Sequence, residues 1–401
     1  MTRGGIRIAF LTSGGLAPCL SASIGALIQR YVELDPDCDM MGYLHGYRGL
    51  LLGQSITISE VVRENADILK KYGGSPIGNS RVNLTNVEDC VERGFVKEGE
   101  DPFQVAADQL MDDGVTILHT IGGDDTNTVA AQLSAFLAEN QYDLTVVGLP
   151  KTVDNDIHPI TQSLGALTAA EQGAIFFENI VNENTSRTRQ LIVHEIMGRQ
   201  SGWLTAATAR EYRSRLERKP FLPELLLTKE RWDIDAVYIP ESPLDLEAES
   251  ERLRQMMDRK DGVNIFLSEG AATETIVEDL EAEGKDVKRD SFGHVALDHL
   301  NPGEWFSKKF AEKIGAEKVL VQKSGYFARS AIPNEKDLDL IEKTAGMAAH
   351  YALNGKGGVV GLDQENNDEL SLIGFSRIEG GKRFDFKAAW FRDLLREIGQ
   401  S

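Results

Sequence analysis

The chain has 401 residues, 41% of them apolar or aromatic and 26% charged, the balance of a globular protein long enough for two domains with buried cores. With 43 basic against 63 acidic residues the formal charge is −20, so the average field repels nucleic acid and anionic membranes, and a small anionic substrate would need a local cluster of Arg, Lys and backbone N–H groups. No window carries the long uncharged apolar run of a membrane span. The first residues, MTRGGIRIAFLTSGG, lack the basic flank, apolar core and cleavage site of a signal peptide, so a cytoplasmic protein is expected. Three cysteines, Cys19, Cys38 and Cys90, an odd number without close pairing, argue against a disulfide framework.

In chain order the first expected strand is IRIAFLT (6–12), closed by the glycine loop TSGGLAP (12–18) and followed by a helix in SASIGALIQRYVE. VTILHTI (115–121) leads through GGDDTN (122–127) into a helix in TNTVAAQLSAFLAEN. LTVVGL (144–149) runs into LPKTVDND and then a long helical stretch, TQSLGALTAAEQGAIFFENIVNE. RQLIVHEI (189–196) precedes MGR and a helix in SGWLTAATARE, and VNIFLSE (263–269) ends at another glycine. The first two helices carry Ser or Thr near their starts, as N-caps would. β-branched runs alternating with glycine loops and helices predict an α/β protein with mostly parallel strands, whose ligands collect at the carboxyl ends of the strands. The acidic stretch from Thr275 to Asp290 reads as a solvated helix and loop.

The loops carry the chemistry. In TSGGLAP the glycines would let backbone N–H groups approach a phosphate, although a tight structural turn explains them equally well; neither a dinucleotide fingerprint nor a P-loop is present. In GGDDTN, Asp124 and Asp125 stand where loop becomes helix, and adjacent carboxylates repel unless a cation or hydrogen bonds compensate. A Mg²⁺ shared with substrate phosphates explains them economically; an Asp N-cap beside a surface Asp is the competing explanation. In LPKTVDND, Thr152 can donate a hydroxyl, Asp154 and Asp156 can accept a proton, and Lys151 can neutralise a transferring phosphoryl group. Residue types alone weigh this equally against an Asx-rich turn. Arg199 in HEIMGRQSGW, Glu269 in SEGA, and Tyr326 and Arg329 in SGYFAR each read singly as surface residues, but together they supply the hydroxyl acceptors and guanidiniums that a sugar phosphate requires. The seven histidines show no paired metal-ligand spacing, and His294 and His299 near Asp298 read as structural.

Taken in order, TSGG, GGDD, PKTVDND, MGR, SEG and GYFAR resemble the successive motifs of the phosphofructokinase family, in its pyrophosphate-dependent branch, over about residues 6 to 334. The resemblance implies an α/β protein of two Rossmann-like domains with mostly parallel sheets and the active site between them. Residues 1–160, with a return near 333–375, would bind pyrophosphate and Mg²⁺, and residues 161–401 would bind fructose 6-phosphate. It implies reversible phosphoryl transfer to the sugar 1-hydroxyl, in glycolysis or gluconeogenesis, by a homo-oligomer. Carried over by motif, Gly15 and Arg81 (in GNSR) would contact the donor and Asp124 would organise Mg²⁺. Thr152, Asp154 and Asp156 would meet the sugar, with Asp154 as general base, while Met197, Gly198, Arg199, Glu269, Tyr326 and Arg329 would hold its phosphate.

ATP-dependent relatives typically carry glycine at the positions of Asp125 and Lys151. Asp125 would crowd and repel the α-phosphate of ATP, and Lys151 would supply a cation for the moving phosphoryl, so the pair favours pyrophosphate. Four positions depart from the family pattern. Leu16 replaces the usual Asp after TSGG. The arginine that a neighbouring subunit lends to the sugar phosphate has Arg189 as its nearest candidate, one residue out of register. A family arginine before GYFAR has only Lys323 or Lys318 to substitute. Tyr326 stands where ATP-dependent members have His. The competing functions are an ATP-dependent phosphofructokinase, a lipid or NAD kinase with its own GGD loop, and a non-catalytic regulatory subunit.

Overall fold

The computed structural model describes residues 5–284, 287 and 300–400; His294, Asp298 and His299 and the end of the acidic stretch lie outside them. The chain divides into two compact units, Met1–Thr168 with Arg329–Lys382, and Ala169–Ala328 with Arg383–Ser401. The strands are β1 (Arg7–Thr12), β2 (Asp39–Tyr43), β3 (Ser55–Thr57), β4 (Ile117–Gly122), β5 (Thr145–Pro150), β6 (Gln190–Ile196), β7 (Ala236–Tyr238), β8 (Gly262–Ser268), β9 (Lys318–Lys323), β10 (Gly358–Asp363) and β11 (Glu369–Ile373).

The first unit holds a sheet in the order β11-β10-β5-β4-β1-β2-β3, parallel except at its two antiparallel edges, β11 and β3. The second holds a wholly parallel sheet in the order β7-β8-β6-β9. Strands β4, β6 and β8 are buried at every position, which is why they read as continuous apolar runs rather than alternating ones. All five strands expected from the sequence are present, within a residue or two of their expected limits.

Two helical expectations need correction. The helices Leu20–Leu34 and Asp124–Glu139 are flanked by Cys19 and Gly123, and neither start has a side-chain cap. Ser21 instead lies inside the first turn, where its N–H donates to the Gly74 carbonyl at 2.8 Å, so tertiary structure supplies an acceptor that a capping side chain would otherwise provide. Thr126 is buried under Gly122, where a Cβ would stand 2.3 Å from its Oγ1. The long helix expected from Thr161 begins only at Ala166, because the residues before it anchor the preceding loop, and it ends at Ile180 in a 3₁₀ turn, Val181–Thr185.

Each unit has a buried polar fixture. In the second, the His194 ring stacks against Phe176 and Phe177, meets Phe266 edge-on and joins Ser324 Oγ at 2.8 Å; burial pulls its pKa down to about 3, so it is a neutral packing element. In the first, Asp337, wholly buried on helix Glu335–Leu353, accepts from the Gly165 N–H (3.0 Å), the Thr168 N–H (2.7 Å) and the Thr168 hydroxyl. Asp337→Ala leaves those donors unanswered, so it is expected to cost about 3 kcal/mol or more and to lower the urea midpoint of unfolding; a parent-like midpoint would show that water replaces the carboxylate at no cost.

Candidate active site

Parallel pairing places the carboxyl ends of β1, β4 and β5 side by side, and three loops meet there. Ser13 N donates to Ile121 O at 3.1 Å, and Lys151 N donates to Gly122 O at 2.9 Å. The segment before Arg81 joins them through a Ser13–Ser80 bridge and a 2.9 Å bond from Gly14 N to Ser80 O. Gly14 has φ +88°, and a Cβ there would stand 3.3 Å from Lys151 Nζ, so both conformation and space favour glycine. A Cβ on Gly15 would meet Arg81 Nη2 at 3.7 Å. Leu16, in the position of the family carboxylate, follows directly and is half-buried.

Lys151 is 3% exposed and its ammonium donates to the Gly15 carbonyl. Burial, with Arg81 nearby, pulls its pKa from 10.5 to about 8, while Asp154 and Asp156 act in the opposite direction.

From Lys151 to Ile157 burial alternates residue by residue: Lys151, Val153, Asn155 and Ile157 are buried, and Thr152, Asp154 and Asp156 are half-exposed. The three polar residues expected to meet the sugar therefore share the accessible side of the segment. Asn155 anchors it from the buried side. With φ +52°, it donates from its amide to Thr161 O at 3.0 Å and accepts from Ser163 N at 2.8 Å and Ser163 Oγ at 3.0 Å. Ser163 Oγ also donates to Thr152 O at 2.8 Å. On the accessible side the Thr152 hydroxyl donates to Asp156 Oδ1 at 3.1 Å and accepts from Asp154 N at 3.1 Å.

Asp124 opens helix Asp124–Glu139 without serving as its cap, which removes the simplest structural explanation for it. Its charge is felt on two sides. Asp125 is exposed, yet its pKa is raised by partial desolvation of the carboxylate and by Asp124, against Arg81; that of Asp156 is raised by burial and by Asp124, against its Thr152 bond and Lys382. Among the described residues no group of three His, Cys, Asp or Glu side chains forms a ready-made metal cage.

The second unit gathers its own set at the carboxyl ends of the adjacent strands β8, β6 and β9. Glu269 N donates to Ile196 O at 2.9 Å and Gly270 N to Gly198 O at 3.2 Å, while Ser268 Oγ donates to Gly198 O. A Cβ on Gly270 would fall 1.9 Å from Arg199 O, and one on Gly325 would fall 3.1 Å from Met197 Cγ. Met197, Gly198, Arg199, Glu269 and Tyr326 are thus held by three neighbouring loops, with the Arg199 and Tyr326 side chains exposed. Arg329, half-buried, ends the helix Gly325–Arg329 and is counted with the first unit.

Arg189 is engaged within its own unit. Its guanidinium donates to Ile314 O at 2.8 Å and Gly315 O at 2.6 Å, at the end of helix Pro302–Ile314, and pairs with Asp258 at 2.9 Å. Lys323 pairs with Glu195 at 2.8 Å, and Lys318 is exposed on β9. Sequence inspection missed Asn155 as an anchor and Gly380–Lys382 as a neighbour of this site. Lys382 N donates to Asp156 O at 2.9 Å, and burial pulls the Lys382 pKa to about 8, while Asp156 and Asp368 raise it. The signal was a double glycine followed by a charged residue, the pattern of the GGDD loop.

The phosphofructokinase family model matches residues 7–352. The pyrophosphate--fructose 6-phosphate 1-phosphotransferase of Methylomonas methanica is 59% identical over 394 residues, spanning 98% of this chain and 96% of that one. The protein of the same name from Propionibacterium freudenreichii is 57% identical over 394 residues, 98% of each chain. The crystal structure of a pyrophosphate-dependent phosphofructokinase from Marinobacter aquaeolei superposes with a TM-score of 0.70 at 19% identity, covering 98% of this chain and 91% of that chain, and so shares its fold.

Lys151→Met removes a buried charge, so the variant is expected to be at least as stable as the parent at neutral pH. The unfolded chain binds the Lys151 proton more tightly than the folded one, so parent stability gains as pH rises from about 8 towards 10.5, and the variant's advantage shrinks across that window. Urea unfolding of both proteins between neutral and alkaline pH checks this; a variant less stable than the parent would mean that the ammonium stabilises the fold.

Proposed function

We infer function from membership: the chain belongs to the phosphofructokinase family, and it transfers a phosphoryl group reversibly from pyrophosphate to the 1-hydroxyl of fructose 6-phosphate, giving fructose 1,6-bisphosphate and phosphate. The structural observation that best supports the donor is a buried ammonium, that of Lys151, joined to the Gly15 carbonyl beside the loops of β1 and β4. A cation withdrawn from water gains most from an anion delivered to it, and pyrophosphate concentrates charge where ATP would also have to seat a nucleoside.

The roles follow from placement. Gly15 and Arg81 hold the donor. Asp154 accepts the proton of the sugar 1-hydroxyl as its oxygen attacks the near phosphorus; the bridging P–O bond breaks, and the electron pair leaves with inorganic phosphate. Thr152 and Asp156, bonded to each other, orient that hydroxyl. Lys151 stabilises the equatorial charge of the loose transition state. Asp125, exposed at the helix start and within electrostatic reach of Arg81, disfavours the longer polyphosphate of ATP. Met197, Gly198, Arg199, Glu269, Tyr326 and Arg329 hold the sugar and its 6-phosphate. On this assignment the first unit is the pyrophosphate domain and the second, with Arg329, the sugar-phosphate domain.

The residues present fit Mg²⁺. Asp124 is a hard oxygen donor whose charge burdens two neighbouring carboxylates, and one carboxylate completed by substrate phosphates is a common Mg²⁺ arrangement. When bound, the ion would supply positive charge to the phosphates; Asp124 would hold it. A homo-oligomer is proposed on the family pattern, but Arg189 lends it no support because its guanidinium is engaged within one unit. No helix among the described residues is long and apolar enough to cross a membrane, and a cytoplasmic location is proposed.

Purified protein with Mg²⁺ and fructose 6-phosphate is expected to turn over with pyrophosphate and barely with ATP, and replacing Asp125 and Lys151 together by glycine is expected to relax the exclusion of ATP; equal rates with both donors in the parent would defeat the donor assignment. Asp154→Ala is expected to lower kcat by about a hundredfold to ten-thousandfold, the usual contribution of a positioned base, with little change in KM for the sugar; steady-state kinetics giving near-parent kcat would move the base role elsewhere.

A further inference from the structure

The segment Glu379–Lys382 ends the first unit, just before the chain passes on at Arg383, and lies against the catalytic loop. Glu379 and His158 pair as an antiparallel bridge, with N–H donations of 2.7 Å from His158 and 2.9 Å from Glu379. Lys382 N donates to Asp156 O at 2.9 Å, and the Lys382 ammonium donates to Ile160 O. Three points of the turn that follows Asp154, at Asp156, His158 and Ile160, are therefore tied to two residues from the far end of the sequence, Glu379 and Lys382.

Gly380 bears on the other half of the site. A Cβ there would fall 2.1 Å from Asp124 Oδ2, 2.7 Å from Asp124 Cβ and 2.8 Å from Asp124 Cγ. Because the near atoms include the root of the aspartate side chain and not just its tip, a turn of the carboxylate alone does not make room. The Gly380 backbone is thus one wall of the Asp124 position. Lys382 stands close enough to Asp156 and Asp368 for both to act on its charge, while Asp156 also feels Asp124. The ammonium therefore offsets charge at Asp156, which Lys151 also feels.

We propose that Gly380 and Lys382 are positioning residues for phosphoryl transfer: Gly380 sets where the Asp124 carboxylate stands, and Lys382 holds the Asp154–Asp156 turn in register with it. Neither is a catalytic residue. The inference rests on the phosphotransferase activity and adds a segment outside every motif that identified it. Displacement of a reacting group by about 1 Å is enough to cost roughly a hundredfold in rate, so a loop that fixes both carboxylates controls kcat without touching substrate.

The test compares the parent, Gly380→Ala, Lys382→Met and Lys382→Arg in full-length protein, reading kcat and KM with pyrophosphate and fructose 6-phosphate, the thermal midpoint, and calorimetric binding of Mg²⁺ with pyrophosphate in the absence of sugar. Lys382→Met is expected to lower kcat by about tenfold or more with KM for the sugar within about threefold and a parent-like midpoint, and Lys382→Arg to recover most of the loss. Gly380→Ala is expected to lower kcat and to weaken binding of Mg²⁺ with pyrophosphate by about tenfold. An active parent whose Lys382→Met and Gly380→Ala variants keep its kcat overturns this inference alone, as does a kcat loss that follows a fallen midpoint. A parent inert with pyrophosphate overturns the phosphotransferase reading and this inference with it.

Discussion

A single buried ammonium constrains the first unit more than any other group at the site. Lys151 leaves the end of β5 at a position where water is nearly excluded, and its charge is met by the Gly15 carbonyl. That bond requires the loops after β1 and β5 to lie close together, which in turn requires a glycine of positive φ at Gly14, where a side chain would crowd the cation. A cation buried in such a place is costly to the fold, and the cost makes sense if a strongly charged ligand arrives there.

The carboxylates obey the complementary constraint. Asp124, Asp125 and Asp156 lie near enough for Asp124 to raise the proton affinity of the other two, while Arg81 opposes the rise at Asp125 and Lys382 opposes it at Asp156. The patch brings basic and acidic groups together inside a chain of net charge −20. Overall charge therefore says little about the substrate, whereas local placement says a great deal. The second unit shows the same economy: three loops at adjacent strand ends, interlocked through Gly198, Gly270 and Gly325, present a guanidinium, a carboxylate and a phenol.

The segment from Lys151 to Asp156 shows how far residue types can be read. Its composition was compatible with an Asx turn or an active site, and the structure shows the turn directly. Asn155 supplies the turn, in a left-handed conformation, bonded inward to Thr161 and Ser163. Alternating burial then leaves Thr152, Asp154 and Asp156 on the accessible side. The expected helix from Thr161 starts late for the same reason, since the residues that would have opened it hold Asn155 instead. Helical periodicity cannot reveal that competition, because the partner of each backbone group is decided by tertiary contacts.

Local pattern by itself determined the alternation of strands, glycine loops and helices and the order of the motifs. Those features are written in residues a few positions apart, where sterics, periodicity and charge act directly. Only the tertiary structure decided which loops meet: the approach of Ser80 and Arg81 to the β1 loop, the engagement of Arg189 at the end of a distant helix, and the closure of Gly380–Lys382 against Asp124 and Asp156. These are contacts between segments far apart in the chain, made by backbone groups that every residue carries. No residue type announces them, so the sheet order and the packing had to be known before they could be seen.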